Sequence, residues 1–155
     1  MSITMETIER SVEVLNDLIE INNDRAAGFE RAAKKLDSND SDLRTLFESS
    51  ARESRENVKE LTATVNKLGR EAETGTSGTG ALHRAWINVK ATFSGHDRKS
   101  ILAECERGED AIKGTYRDAL SENDLPPEII SIIWRQQQVI EASHDTIKRL
   151  RDSRS

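Results

Sequence analysis

Ile101-Leu102-Ala103-Glu104-Cys105-Glu106-Arg107-Gly108-Glu109-Asp110-Ala111-Ile112-Lys113-Gly114-Thr115-Tyr116-Arg117-Asp118-Ala119-Leu120 is the stretch that decides the fold. Ile101, Cys105, Glu109, Ile112, Tyr116 and Leu120 recur at steps of three or four residues, the signature of one helix face. Five of these six positions suit a core; Glu109 does not. A lone carboxylate on an apolar stripe is costly, so it must be protonated, hydrogen-bonded or bound to a cation. Glu109 is therefore the main pointer to function, and Glu104 and Glu106 beside it are expected in water.

The same spacing extends outward. Upstream, Ile8, Val12, Leu15, Ile19, Ala26, Phe29 and Ala33 give a helix from about Met5 to Lys34, with Asn22 interrupting its apolar face. Asp37-Ser38-Asn39-Asp40-Ser41 is a short run of cap formers, so the next helix folds back antiparallel. That second helix covers about Asp42 to Leu68 on Leu43, Phe47, Val58, Leu61, Val65 and Leu68, with Ser50 and Ser54 in the gap and Gly69 as its C-terminal cap. Glu73 to Gly80 is the low-complexity connector. A short helix is expected from Ala81 to Phe93, carrying Leu82, Trp86, Val89 and Phe93, with His83-Arg84 on its surface. Gly95-His96-Asp97 ends it and caps a helix from about Arg98 to Leu120. Ser121 to Asp124 turns the chain into Pro126-Pro127, which opens a last helix to about Leu150 with Ile129, Ile133, Ile140, His144 and Ile147 inward. No strand alternation is present.

Two helical hairpins joined by a long connector predict an all-α four-helix bundle with one crossover, about residues 70–97, within a single domain spanning 1–155. This is the ferritin-like connectivity. The composition agrees: of 155 residues 35% are hydrophobic and 33% charged, only 4% aromatic, with 2 prolines, enough for one helical core and too little for two. A net charge of −5 with scattered basic residues argues against nucleic acid as a partner. The single cysteine excludes an intrachain disulfide and a cysteine-rich zinc module. No run reaches membrane-spanning length and no signal-type leader is seen, so a cytoplasmic protein is expected. Trp86, Phe93 and Trp134 offer apolar surface that a homodimer would cover.

Hairpin geometry also sets levels. A first turn centred near Ser38 puts Asn22 opposite Ser54; a second centred near Asn123 puts Glu109 opposite Gln137 and Cys105 opposite Glu141. Asn22, Ser54 (with Asn57 nearby), Glu109 and Gln137 are thus expected in one buried polar layer, which must satisfy itself. The alternative is a metal site from Glu109 and His144 with Glu141 or Cys105. Di-iron bundles use one Glu on each of two helices and Glu-x-x-His on each of the others. Only Glu141-Ala142-Ser143-His144 follows that pattern here. Glu20 falls on the polar side, Glu56 points away and Glu53 sits at a stripe edge, so the carboxylate set is incomplete. His144 equally reads as a hydrogen-bonded core histidine, Cys105 as a small hydrophobe, and Asn22 with Gln137 as register markers. No catalytic triad or phosphate-binding loop is present.

Ala81-Leu82-His83-Arg84-Ala85-Trp86, together with Glu104-Cys105-Glu106-Arg107-Gly108-Glu109-Asp110, resembles a bacterial family of small four-helix-bundle proteins, domain of unknown function 2383. The likeness runs from Leu15-Asn16-Asp17-Leu18-Ile19-Glu20 through His144-Asp145 to Leu150-Arg151-Asp152. It implies a ferritin-like bundle of bacterial, cytoplasmic origin and brings no established reaction. Ferritin-like relatives oxidise or store iron, but this chain departs from their ligand pattern. Two functions follow as alternatives, a non-enzymatic stress-associated or interaction protein without a cofactor and an iron-type metal-binding redox protein; a carrier of lipid or another small ligand in the bundle interior is a third that nothing in the sequence calls for.

Overall fold

The computed structural model describes residues 4–36, 38–75, 98–122 and 124–153. They form α1 (Met5–Lys34), a single 3-10 turn (Ser38–Asp40), α2 (Ser41–Lys67), α3 (Arg98–Leu120) and α4 (Pro127–Ser153). There is no strand among the described residues, and the all-α four-helix bundle expected from spacing is what forms. The extra helix expected at 81–93, with Trp86, Phe93 and His83, lies outside the described residues.

Local chemistry sets the helix ends. Thr4 accepts the backbone N–H of Thr7 through its hydroxyl and starts α1. Gly69, at φ +78°, ends α2. Its N–H reaches the Asn66 carbonyl at 3.0 Å and the Arg70 N–H reaches that of Val65 at 3.3 Å, a Schellman closure that needs the left-handed region glycine tolerates.

α1 packs along α2 and α3 along α4, and the hairpins meet chiefly through α1 against α3. The core falls into two apolar clusters. One holds Phe29, Leu36, Leu43, Phe47, Leu102, Cys105 and Ile147, with the Phe29 and Phe47 rings 5.4 Å apart. The other holds Leu15, Ile19, Leu61, Val65, Ile112, Tyr116, Leu125, Ile129, Ile133 and Ile140. Buried polar residues from all four helices lie between them.

The α1–α2 register is the expected one, since Ser54 meets Asn22. The α3–α4 register is not. Asp110 pairs with His144, Lys113 with Glu141 and Tyr116 with Gln136, about two helical turns from a turn centred on Asn123. Leu125 is buried in the second cluster beside Ile129, so the connection spans the bundle end instead of closing tightly. α4 consequently begins beyond the end of α3.

Candidate functional site

α1 brings the residue that sequence reasoning missed. Arg25 is three residues after Asn22 and four before Phe29, so it lies on the same stripe. Its side chain is 0% exposed, as is that of Glu109. The guanidinium donates from Nε to Glu109 Oε1 at 2.6 Å and from Nη2 to Oε2 at 3.0 Å, a bidentate pair. Nη1 donates to Ser54 Oγ at 2.9 Å and to the Ser50 carbonyl at 3.1 Å, and Nη2 also reaches Glu53 Oε1 at 3.3 Å. The guanidinium carbon lies 5.2 Å from the Phe29 ring centre.

A second tier follows through Ser54, whose hydroxyl donates to Asn22 Oδ1 at 2.9 Å. Asn57 Nδ2 donates to the same oxygen at 3.2 Å. Asn22 Nδ2 donates to the Leu18 carbonyl and to Tyr116 Oη, both at 2.8 Å. Tyr116 donates to Gln136 Oε1 at 2.7 Å, and Gln136 Nε2 donates to Glu60 Oε1 at 2.8 Å. Arg135 closes the chain on Glu60 at the surface. Each tier thus takes a residue from every helix, since Ser143 Oγ also lies 3.3 Å from Ser50 Oγ.

Of the expected layer, Asn22, Ser54 and Glu109 are brought together. Gln137 is not: it is half-buried, and Gln136 takes the inward place. Both fit the spacing from Ile133 and Ile140, and the packing of Tyr116 selects between them. Nor do Glu109, His144, Glu141 and Cys105 converge. Glu109 is engaged by Arg25, Glu141 lies 4.0 Å from Lys113, and His144 faces Asp110. Cys105 is a buried free thiol in the apolar cluster. Glu106, expected in water, is buried beneath Arg151, whereas Glu104 stays half-exposed and pairs with Arg107.

Electrostatics follow burial. Desolvation works against the Arg25 charge, but Glu109 and then Glu53 raise its pKa above the ordinary value. Burial pushes the Glu53 carboxyl up, with Arg25 pulling against it. Burial first, and Glu109 second, drive the Cys105 thiol well above its usual range. Burial likewise raises the Tyr116 phenol.

These four helices and their packing define a ferritin-like bundle. Residues 10–122 match the family described as Domain of unknown function (DUF2383), and the chain belongs to it. A mutant of the Mycobacterium smegmatis protein Dps1 is similar in structure, with a TM-score of 0.79 at 11% identity, covering 96% of this chain and 99% of that one. No curated protein matches the chain. Among the described residues no helix is long and apolar enough to cross a membrane.

A paired-iron centre does not fit the bundle interior. Such a centre needs inward carboxylates on all four helices and histidines on two. Here Glu109 has both oxygens on a guanidinium, Glu53 of α2 reaches the same guanidinium, and α4 brings a serine, Ser143, to this level.

Proposed function

We propose that this chain is a non-enzymatic ferritin-like bundle of the bacterial cytoplasm, a single domain acting through its outer surface as a stress-associated or interaction protein. The observation that carries this reading is Glu109 held by Arg25 on both carboxylate oxygens. Both oxygens of that carboxylate are taken by the guanidinium, so neither is free to act as a ligand to a cation. Among the described residues, the serines, Asn22, Tyr116 and Gln136 of the network are hydrogen-bonded to one another or to Arg25. Trp134, 56% exposed on α4, supplies apolar surface for a protein partner, a second copy of the chain in the first instance.

Ferrous iron supplied in air to untagged protein tests the reading. The expected result is oxidation no faster than in buffer. Multi-turnover oxidation that disappears in Glu109→Gln would overturn it. Light scattering tests the partner: a dimer that Trp134→Arg converts to monomer is expected, and a wild-type monomer at working concentration removes the self-association.

A further inference from the structure

The α3–α4 seam holds a second polar group, separate from the central network. Glu106 and Asp110 are four residues apart on α3, so their carboxylates share a face. His144 projects from α4 against them, and one ligand atom from each of the three lies within 4.8 Å of the others. His144 Nε2 is 2.7 Å from Asp110 Oδ1, and Nδ1 is 3.3 Å from Asp145 Oδ1. Glu106 is only 8% exposed. Its Oε1 takes Arg151 Nη1, but its Oε2 is buried with no hydrogen-bond partner among the described residues. A buried carboxylate oxygen without a donor is costly, and a cation is one of the few things that can satisfy it.

We propose that Glu106, Asp110 and His144 form a mononuclear site for a divalent transition-metal cation, with zinc as the probe that fits best. One imidazole nitrogen and two carboxylate oxygens suit such a cation and leave a further position open to water. Asp145 completes the arrangement from behind. With an ion on Nε2 the imidazole proton sits on Nδ1, where Asp145 Oδ1 at 3.3 Å accepts it, the usual carboxylate–histidine–metal pairing. Asp110 has a side chain 60% exposed, which gives the ion an entry path. It also lets the carboxylate swing away from the 2.7 Å contact to admit an ion with bonds of about 2.0–2.2 Å.

Two cationic side chains border the group. Arg151 occupies Glu106 Oε1, and Lys113 Nζ stands 3.5 Å from His144 Nδ1 and 4.0 Å from Glu141 Oε2. Glu106, Asp110, Glu141 and Asp145 outnumber them, and the orphaned oxygen of Glu106 touches neither. The site does not rest on the Arg25–Glu109 pair, and a single ion there is not a paired-iron oxidation centre. Binding at the seam and iron oxidation are therefore read separately.

The experiment is a zinc titration of untagged, chelator-dialysed protein against a chromophoric competitor, with the thermal midpoint followed in parallel. One equivalent bound and a raised midpoint are expected. Asp110→Asn weakens zinc by about tenfold or more, His144→Gln removes the stoichiometric binding, and the His83→Gln/His96→Gln double variant leaves it unchanged. Circular dichroism establishes that each variant is folded. If His144→Gln does not fold, Asp110→Asn, at a solvent-facing side chain, decides alone. Absence of saturable binding at one equivalent overturns the proposal, as does binding indifferent to Asp110→Asn or lost with His83 and His96.

Discussion

Arg25 of α1 and Glu109 of α3 meet side-on at 2.6 and 3.0 Å with neither exposed to solvent, and they join the two hairpins at the boundary between the apolar clusters. Each charge is tolerated only because the other is there. Removing either alone, by Arg25→Gln or Glu109→Gln, is expected to cost about 3–5 kcal/mol, because an uncompensated buried charge remains. Arg25→Met combined with Glu109→Leu removes both charges and is expected to cost less than the sum of the singles. Urea unfolding of all three variants checks this. Strict additivity, or single losses below about 1 kcal/mol, contradicts the account.

Tyr116 relays the network between Asn22 and Gln136. Tyr116→Phe keeps the ring in its apolar cluster but strips the acceptor for Asn22 Nδ2 and the donor for Gln136 Oε1. A loss of about 1–3 kcal/mol is expected, since buried polar atoms are left unmet. A neutral outcome in the same unfolding assay contradicts this account of the relay.

Gly114 sits in the interior of α3, and a methyl group added there meets no atom within 4 Å. Nothing in the local packing requires glycine. Gly114→Ala is expected to stabilise the fold by about 1 kcal/mol through helix propensity. A lower thermal midpoint contradicts this account.

Two surface carboxylates contribute to the acid limb of stability. The hydrogen bond from Arg135, followed by that from Gln136, holds Glu60 below its ordinary 4.5. Arg98 pulls Asp42 from 3.8 down to about 2. A carboxyl whose folded pKa is depressed stabilises the fold above its unfolded value and loses that contribution as pH falls through the folded one. Denaturation midpoints should therefore decline from about pH 4.5 toward pH 2. Glu60→Gln flattens the upper part of the fall and Asp42→Asn the lower. Glu53, raised by burial, acts with opposite sign and gives up its contribution as pH rises through its folded value. A midpoint independent of pH across this window contradicts the assignment.

Much of this was legible in the chain. Ile101, Cys105, Ile112 and Tyr116 mark the α3 core face by spacing alone, and all four are buried. Ser54 opposite Asn22 follows from the short turn between α1 and α2. The Arg25 partnership was legible in principle, because Arg25 satisfies the stripe spacing as well as Ala26 does. Charge hides it: a guanidinium on an apolar stripe reads as solvated unless a facing carboxylate is known to be at its level. Glu106 is the same case in reverse, a stripe-edge carboxylate drawn inside once Arg151 covers it.

Helical periodicity, cap chemistry and turn length are local, so the sequence alone determined four helices, their ends to within about three residues, and the all-α bundle they build. It also marked Glu109 as a carboxylate that needs a partner. Which partner, only the tertiary structure decided. The α3–α4 register depends on Leu125 finding its place in the core, and the choice of Gln136 over Gln137 depends on Tyr116. The pairing of Arg25 with Glu109 depends on how the two hairpins dock. These are contacts between residues 20 to 84 positions apart, and no local pattern encodes the angle and height at which two helices meet.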